Sequence, residues 1–356
     1  MSSIYPIVKI DATVVKEVLP IFINKGIFSN YDDLPERADL LKQYQEQLGT
    51  QLLTKEQVRE CLSQVGEYKT NNYVVRDYGN YLIAFSLNAY QGNLNDDLQR
   101  VRLNKLGHKI AMIILSEVYN QRKWEELVIS KQAIVEYLGY STSDKYIYHD
   151  ISDVMFSLRW LDYQIIEYKN TVSVQKRSNT TGIFIYNLIE DSKSYKLWVN
   201  SFFVGSVAYV LTQDKKSMPA GVLKSGYFSY PTTLLPLSKD YSQGAYLLTN
   251  FLMAELGNSK LKTSTHKVIA QKVTKLMEIM KLNYSRDDRN TQAFINALEE
   301  TQIIDRVVPD ISTLRDLKTS KIQNQVVHLY VKKDIKQLDD EIKSNLLVTF
   351  YDCKSL

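Results

Sequence analysis

The sequence predicts an α+β chain built on two tandem winged-helix domains preceded by a mixed N-terminal region. Two observations carry that prediction. One order of elements occurs twice: a long amphipathic helix, a polar break, two further helices and a strand pair, first over Leu103 to Glu190 and again from about Gln243 to Lys332. That order outlines a helix-turn-helix followed by a β-hairpin, a unit that places its last helix against duplex DNA. The second observation is where the charge falls. The chain carries a net +4, yet Leu256 to Lys336 holds 15 Lys and Arg against 9 Asp and Glu, while residues 1 to 255 hold 27 of each sign. A basic surplus confined to the second repeat points to a polyanion partner, because Lys and Arg gain by displacing phosphate counterions. A solvated basic face is the plainer alternative.

Breaks and composition divide the chain into an N-terminal arm or subdomain (1–95), a first unit (96–216), a linker (217–241), a second unit (242–335) and a tail (336–356). In the arm, Leu34 to Gln47 and Thr54 to Leu62 have helical spacing, and Tyr73 to Ala84 reads as a hairpin turning at Gly79-Asn80. The arm is slightly acidic, with 9 basic against 11 acidic residues over 1–95, and makes a poor polyanion surface.

The first unit opens after the polar run Gln91 to Asp97. Apolar residues from Leu98 to Val118 recur at steps of three and four, which makes a core-facing helix. Val128-Ile129 is an extended link, and Ser130 caps a helix over Lys131 to Tyr137 that Gly139 stops. Ser143 is expected to cap a third helix from about Asp144 to Leu161. Strands follow at Tyr163 to Tyr168, Val172 to Val174 and Ile183 to Ile189, with the polar loop Gln175 to Gly182 as a wing. The nearly uncharged stretch Leu197 to Gln213 reads as a buried strand or hairpin rather than a membrane span. Three of the seven prolines, Pro219, Pro231 and Pro236, mark the linker as a connection that bends.

The second unit starts at Ser242, which caps a helix ended by Gly257-Asn258. Ser264 or Thr265 is expected to cap a helix running through Met280, and Ser285 another over Arg286 to Thr301. Ile303 to Val308 and Val326 to Val331 read as strands joined by a basic wing, and Asp334 to Ile342 as a short acidic helix.

Side-chain chemistry then selects candidate DNA-binding residues. Arg286, Arg289, Asn290, Gln292 and Asn296 occupy the start and one side of the third helix of the second unit. Arg pairs with guanine, and Asn or Gln with adenine, through two hydrogen bonds each in the major groove. Lys260, Lys262, Ser264 and Lys267, at the preceding turn and helix start, suit phosphates, and Arg315, Lys318 and Lys321 suit a basic wing. In the first unit Lys145, Tyr148 and His149 on the third helix and Lys176, Arg177 and Asn179 on the wing are the counterparts. Asp144, Asp150 and Asp153 share that helix and repel phosphates, so this unit is expected to serve an auxiliary contact or to pair subunits.

Enzyme signatures are absent from the sequence. It has no phosphate-cradling glycine loop, nucleophile elbow or zinc-binding His-Glu-x-x-His, and no cofactor is expected. Ser264 to Lys267 matches Ser-x-x-Lys, but a helix cap is the simpler use of these residues. Binding without catalysis is therefore expected, with a nuclease built from scattered carboxylates as the catalytic alternative. Cys61 and Cys353, far apart and in no metal spacing, fit a reducing compartment. With no secretory start, a cytoplasmic setting and no membrane contact are expected.

Two winged helices joined by a bent linker, the more basic one second, resemble the iteron-binding plasmid replication initiator proteins of the Rep_3 type. The resemblance spans roughly residues 95 to 335 and rests on element order, spacing and charge placement. It implies that residues 286 to 296 read repeated origin sites in double-stranded DNA. It further implies that the first unit contributes to a homodimer and that host replication proteins are partners. A transcriptional or mobile-element regulator, and a module whose winged helices pair proteins, are the alternatives.

Overall fold

The computed structural model describes residues 7–12, 14–19, 53–54, 73–77, 81–87, 105–169, 180–212, 226–256, 265–282, 287–317 and 319–332. It is an α+β molecule, and elements are numbered here among those residues. No helix among them is long and apolar enough to cross a membrane.

The first unit begins with α1 (Lys105–Gln121), buried on every side from Gly107 to Val118. Strand β5 (Leu127–Ser130) leads into α2 (Lys131–Tyr137), where the Ser130 hydroxyl accepts from the Ala133 amide as the sequence predicts. Helix α3 (Lys145–Ser157) follows, but its cap is Asp144 and not Ser143: the Asp144 carboxylate accepts from the amides of Tyr146 and Ile147. The Ser143 hydroxyl is engaged with that of Ser141 instead. The helix also ends earlier than expected. Residues 158–160 tighten into a 3-10 turn and strand β6 (Leu161–Lys169) follows at once, drawn into pairing with β4 (Tyr81–Leu87).

The expected single strand over Ile183 to Ile189 is two. β7 (Thr180–Ile183) pairs with β6, and β8 (Ile185–Glu190) pairs with β9 (Ser194–Val199), so the chain changes sheets at the buried Phe184. The extended reading of Leu197 to Gln213 holds only to Val199. Asn200 then caps α4 (Ser201–Val204), and α5 (Ser206–Thr212) follows Gly205.

The second unit opens with α7 (Gln243–Glu255), capped by Ser242 as predicted. The expected helix start at Ser264 or Thr265 is a strand: β11 (His266–Lys272) pairs in unbroken register with β13 (Val326–Lys332), and α8 (Val273–Ile279) begins only after Lys272. Long-range pairing has overridden a helical spacing that a strand's end and a helix share. Helix α9 (Asp287–Glu300) and strand β12 (Ile304–Val308) follow. The segment expected to be a basic wing is instead helical. Asp310 caps α10 (Ile311–Asp316), α11 spans Thr319–Ile322, and both turns hold fast because Leu314 and Ile322 are fully buried.

The sheets repeat as the helices do. In the first unit the order is β5-β9-β8 and in the second β11-β13-β12, so each unit places its last strand between the other two. The hairpin β3 (Tyr73–Asp77) and β4 (Tyr81–Leu87) forms where the sequence predicts, and β4 adds it to β6, with the short β2 (Leu53–Thr54) on the other side of β6.

From Gly226 onward the stretch read as a bent connection is part of the core. β10 (Tyr227–Pro231) pairs with β1 (Ile7–Asp11), and α6 (Leu234–Leu237) buries Leu234 and Leu235. Past β1 the chain makes a π-helical turn at Val14–Val18 that packs on α7, while β1 packs on α1 and α5. Residues 7–12 and 14–19 thus form a strap touching both units. Val8, Ile10, Val14, Val15 and Leu19 are buried in it, each contributing roughly 1.5–3 kcal/mol. Lys16 ties it to Glu255 at 2.6 Å, and the buried Asp11 carboxylate accepts from the amides of Val14 and Ser206 and from the Ser206 hydroxyl.

Thr54, expected to cap a helix to Leu62, is the end of strand β2, and the rest of that span lies outside the described residues, as do the helices expected at Leu34 to Gln47 and Asp334 to Ile342, the strand at Val172 to Val174, and the Gly257-Asn258 stop.

Candidate nucleic-acid interface

Helix α9 is held by one face and displays the other. Phe294, Ile295, Ala297 and Leu298 are buried against the core, and the helix packs on α7. Arg289, Gln292, Asn296 and Glu299 are exposed, spaced three or four residues apart, and so line one outward stripe. Gln292 donates from its side-chain amide to Asn296 Oδ1 at 2.7 Å, which fixes both side chains in a polar pair able to meet a base edge. Arg289 makes no ion pair among the described residues, so its guanidinium is available to an outside acceptor.

Two expected members of this surface are placed differently. Asn290 is only 9% exposed, because it stands one turn before Phe294 on the inward stripe and not on the outward one. Lys267 lies on strand β11 opposite Val331, rather than at a helix start where amide donors would join it in holding a phosphate. Arg315 is exposed but its guanidinium donates to both Glu299 oxygens, at 2.6 and 2.7 Å. That ion pair fastens α10 to the end of α9 and offsets the charge a wing would offer. Lys321 is exposed on α11. Arg286, Lys260, Lys262, Ser264 and Lys318 lie outside the described residues.

In the first unit, α3 exposes Lys145, Tyr146, His149, Asp150 and Asp153. His149 sits 3.4 Å from Asp153, and the half-buried Tyr148 donates its hydroxyl to the Thr142 carbonyl. The Ser152 hydroxyl and the Lys131 ammonium converge on Glu190, docking α3 to β8. Lys176, Arg177 and Asn179 lie outside the described residues.

Two exposed cations were not singled out from the sequence, Arg306 on β12 and Lys272 at the end of β11. The signal was the alternation of β13, where Val327, Leu329 and Val331 point inward and their neighbours outward, which identifies the sheet's outer face and the residues paired on it.

No family model matches the chain, and no curated protein matches it. Among solved structures, domains 2 and 3 of RctB (RctB-155-483) align with a TM-score of 0.42 and 12% identity, over 75% of this chain and 92% of that one. A selenomethionine derivative of domains 2 and 3 of RctB gives 0.37 and 12%, over 65% and 77%. Pi initiator protein in complex with iteron DNA gives 0.39 and 13%, over 65% of this chain and 96% of that one. Likenesses this distant leave the functional reading to the chain's own residues.

Proposed function

We propose that the chain is a sequence-specific duplex DNA-binding protein, most concretely a replication initiator acting at repeated origin sites. The observation that carries this reading is the outward stripe of α9, where Arg289, Gln292 and Asn296 stand exposed on a helix whose other face is locked into the core. The last strand standing in the middle of each unit's sheet supports a winged-helix reading of both units, on which α9 is the base-reading helix. The first unit has the auxiliary role, and its exposed apolar side chains suit a homodimer contact: Val128 and Ile189 are each 53% exposed on the outer face of β5-β9-β8.

A salt titration on duplex DNA tests the binding. A steep fall of affinity with salt is expected, and Arg289→Ala should cost about 1–3 kcal/mol and relax selection at one base pair. Salt-insensitive or absent binding on every duplex tried would sink the reading. Initiation is separated from regulation by asking whether the gene with its flanking DNA sustains replication of a plasmid that has no other origin.

A further inference from the structure

The outer face of the sheet β11-β13-β12 is a second basic surface of the second unit, on the side away from its helices. Because Val327, Leu329 and Val331 are fully buried, the alternate residues Val326, His328, Tyr330 and Lys332 of β13 face outward. Register sets Lys332 beside His266, Tyr330 beside Arg306, and Val326 beside Lys272. Arg306 is exposed, with its guanidinium carbon 4.0 Å from the centre of the Tyr330 ring. An arginine held over a ring is ordered in advance while its N–H edge stays open, a geometry that suits phosphate oxygens. Arg306 and Lys272 make no ion pair among the described residues. Among the described residues of the three strands one carboxylate, Asp305, borders the face, and it lies 3.2 Å from His266 Nε2.

The corresponding sheet of the first unit shows that the fold does not require this chemistry. There the outward row is Val128, Lys196 and Ile189, and the Lys196 ammonium is 3.2 Å from Glu126 and lies over the Trp198 ring. The same topological position carries a compensated lysine among apolar residues in one unit, and in the other two cations with no ion pair among the described residues, beside the exposed Val308 and Val326.

We propose that the β11-β13-β12 face binds the phosphodiester backbone of duplex DNA beyond the base pairs contacted by α9, through Arg306 held on Tyr330 and through Lys272. This rests on the DNA-binding reading above, which places α9 at the bases. The test compares a duplex trimmed to the recognised site with one extended by about one helical turn (~10 base pairs) on each side. On the extended duplex Arg306→Ala should weaken binding about tenfold and reduce the log-log salt slope by about 1. The loss should be equal for cognate and scrambled flanks. On the trimmed duplex it should leave both quantities unchanged. Arg306→Lys should restore the slope, which a folding defect would not allow.

A wild-type slope for Arg306→Ala on both duplexes, with Arg289→Ala still weakening binding, overturns the sheet-face contact and leaves the DNA reading standing. An equal loss on both duplexes also overturns it, since the contact would then lie within the site. Absence of salt-sensitive binding by the wild-type chain on either duplex defeats the DNA reading itself.

Discussion

His108 and Lys109 sit side by side on α1, where the first unit meets α6 and α7. His108 Nδ1 lies 2.8 Å from the Tyr246 hydroxyl, and the Lys109 ammonium donates to the Leu235 carbonyl at 3.2 Å. Burial pushes the His108 imidazolium down to about 3, and burial together with the Lys105 charge pushes the Lys109 ammonium down to about 7. Between about pH 3 and the ordinary 6.5 an unfolded chain binds a proton at His108 that the folded chain refuses, so stability falls as pH drops through that range. Between about 7 and 10.5 the unfolded chain likewise keeps a proton that the folded Lys109 has released, so stability rises with pH there. The midpoint of thermal unfolding should therefore climb from pH 4 to pH 9. His108→Phe should flatten the acid limb and Lys109→Met the alkaline one. Above pH 10 the trend should reverse, because burial holds Tyr195 and Tyr241 up at about 12.

Gly205 gives a second residue-scale prediction. Its φ of +59° and ψ of −138° are accessible to glycine alone, and an added Cβ would stand 2.4 Å from Asp11 Oδ2. Gly205→Ala should lower stability in urea by roughly 2–4 kcal/mol. In the Asp11→Ala background the same change should cost less, since the contacts with the carboxylate are gone and what remains is the backbone strain and a 3.0 Å approach to the residue 11 Cβ.

At the scale of elements, what the sequence disclosed was whatever local chemistry decides. Ser130 and Ser242 cap α2 and α7 because a hydroxyl and an amide three residues on are enough to start a helix. The outward stripe of α9 was legible for the same reason, through the spacing of Phe294, Ala297 and Leu298. That spacing also places Asn290 inside, so the misplacement of Asn290 came from weighing its side-chain type above its position. Strand β11 and the pairing of β1 with β10 were not legible, because their partners lie some distance away in sequence. His266 meets Lys332, and Ile7 meets Pro231, and nothing in either segment names its mate. The helical turns α10 and α11 were hidden by their charge: Arg315 and Lys321 drew attention to a loop, while Leu314 and Ile322 supply the anchors.

At the scale of the whole molecule, the buried residues form one cluster running from Val8 to Val331. The two units therefore share a core and do not hang from a loose tether. Helix α9 in one unit and the apolar sheet face in the other are then held in fixed relation, which suits the proposed combination of a DNA contact with a subunit contact. If the β5-β9-β8 face pairs subunits as proposed, Ile189→Lys should shift the chain toward monomer in sedimentation equilibrium. Its thermal midpoint should change little, since the side chain is already half in water. An unchanged association constant would exclude that face as the contact.

The strap of residues 7–12 and 14–19 sets a timetable for the molecule's assembly. Ile7 leaves the ribosome 224 residues before Pro231, and at ordinary translation speeds that is a wait of roughly 10–45 s. During that interval Val8, Ile10 and Val14 have neither β10 nor α7 to cover them. The first unit must then fold with its strap unfinished, and the fixed geometry between the units is established last, when the second unit arrives to close it.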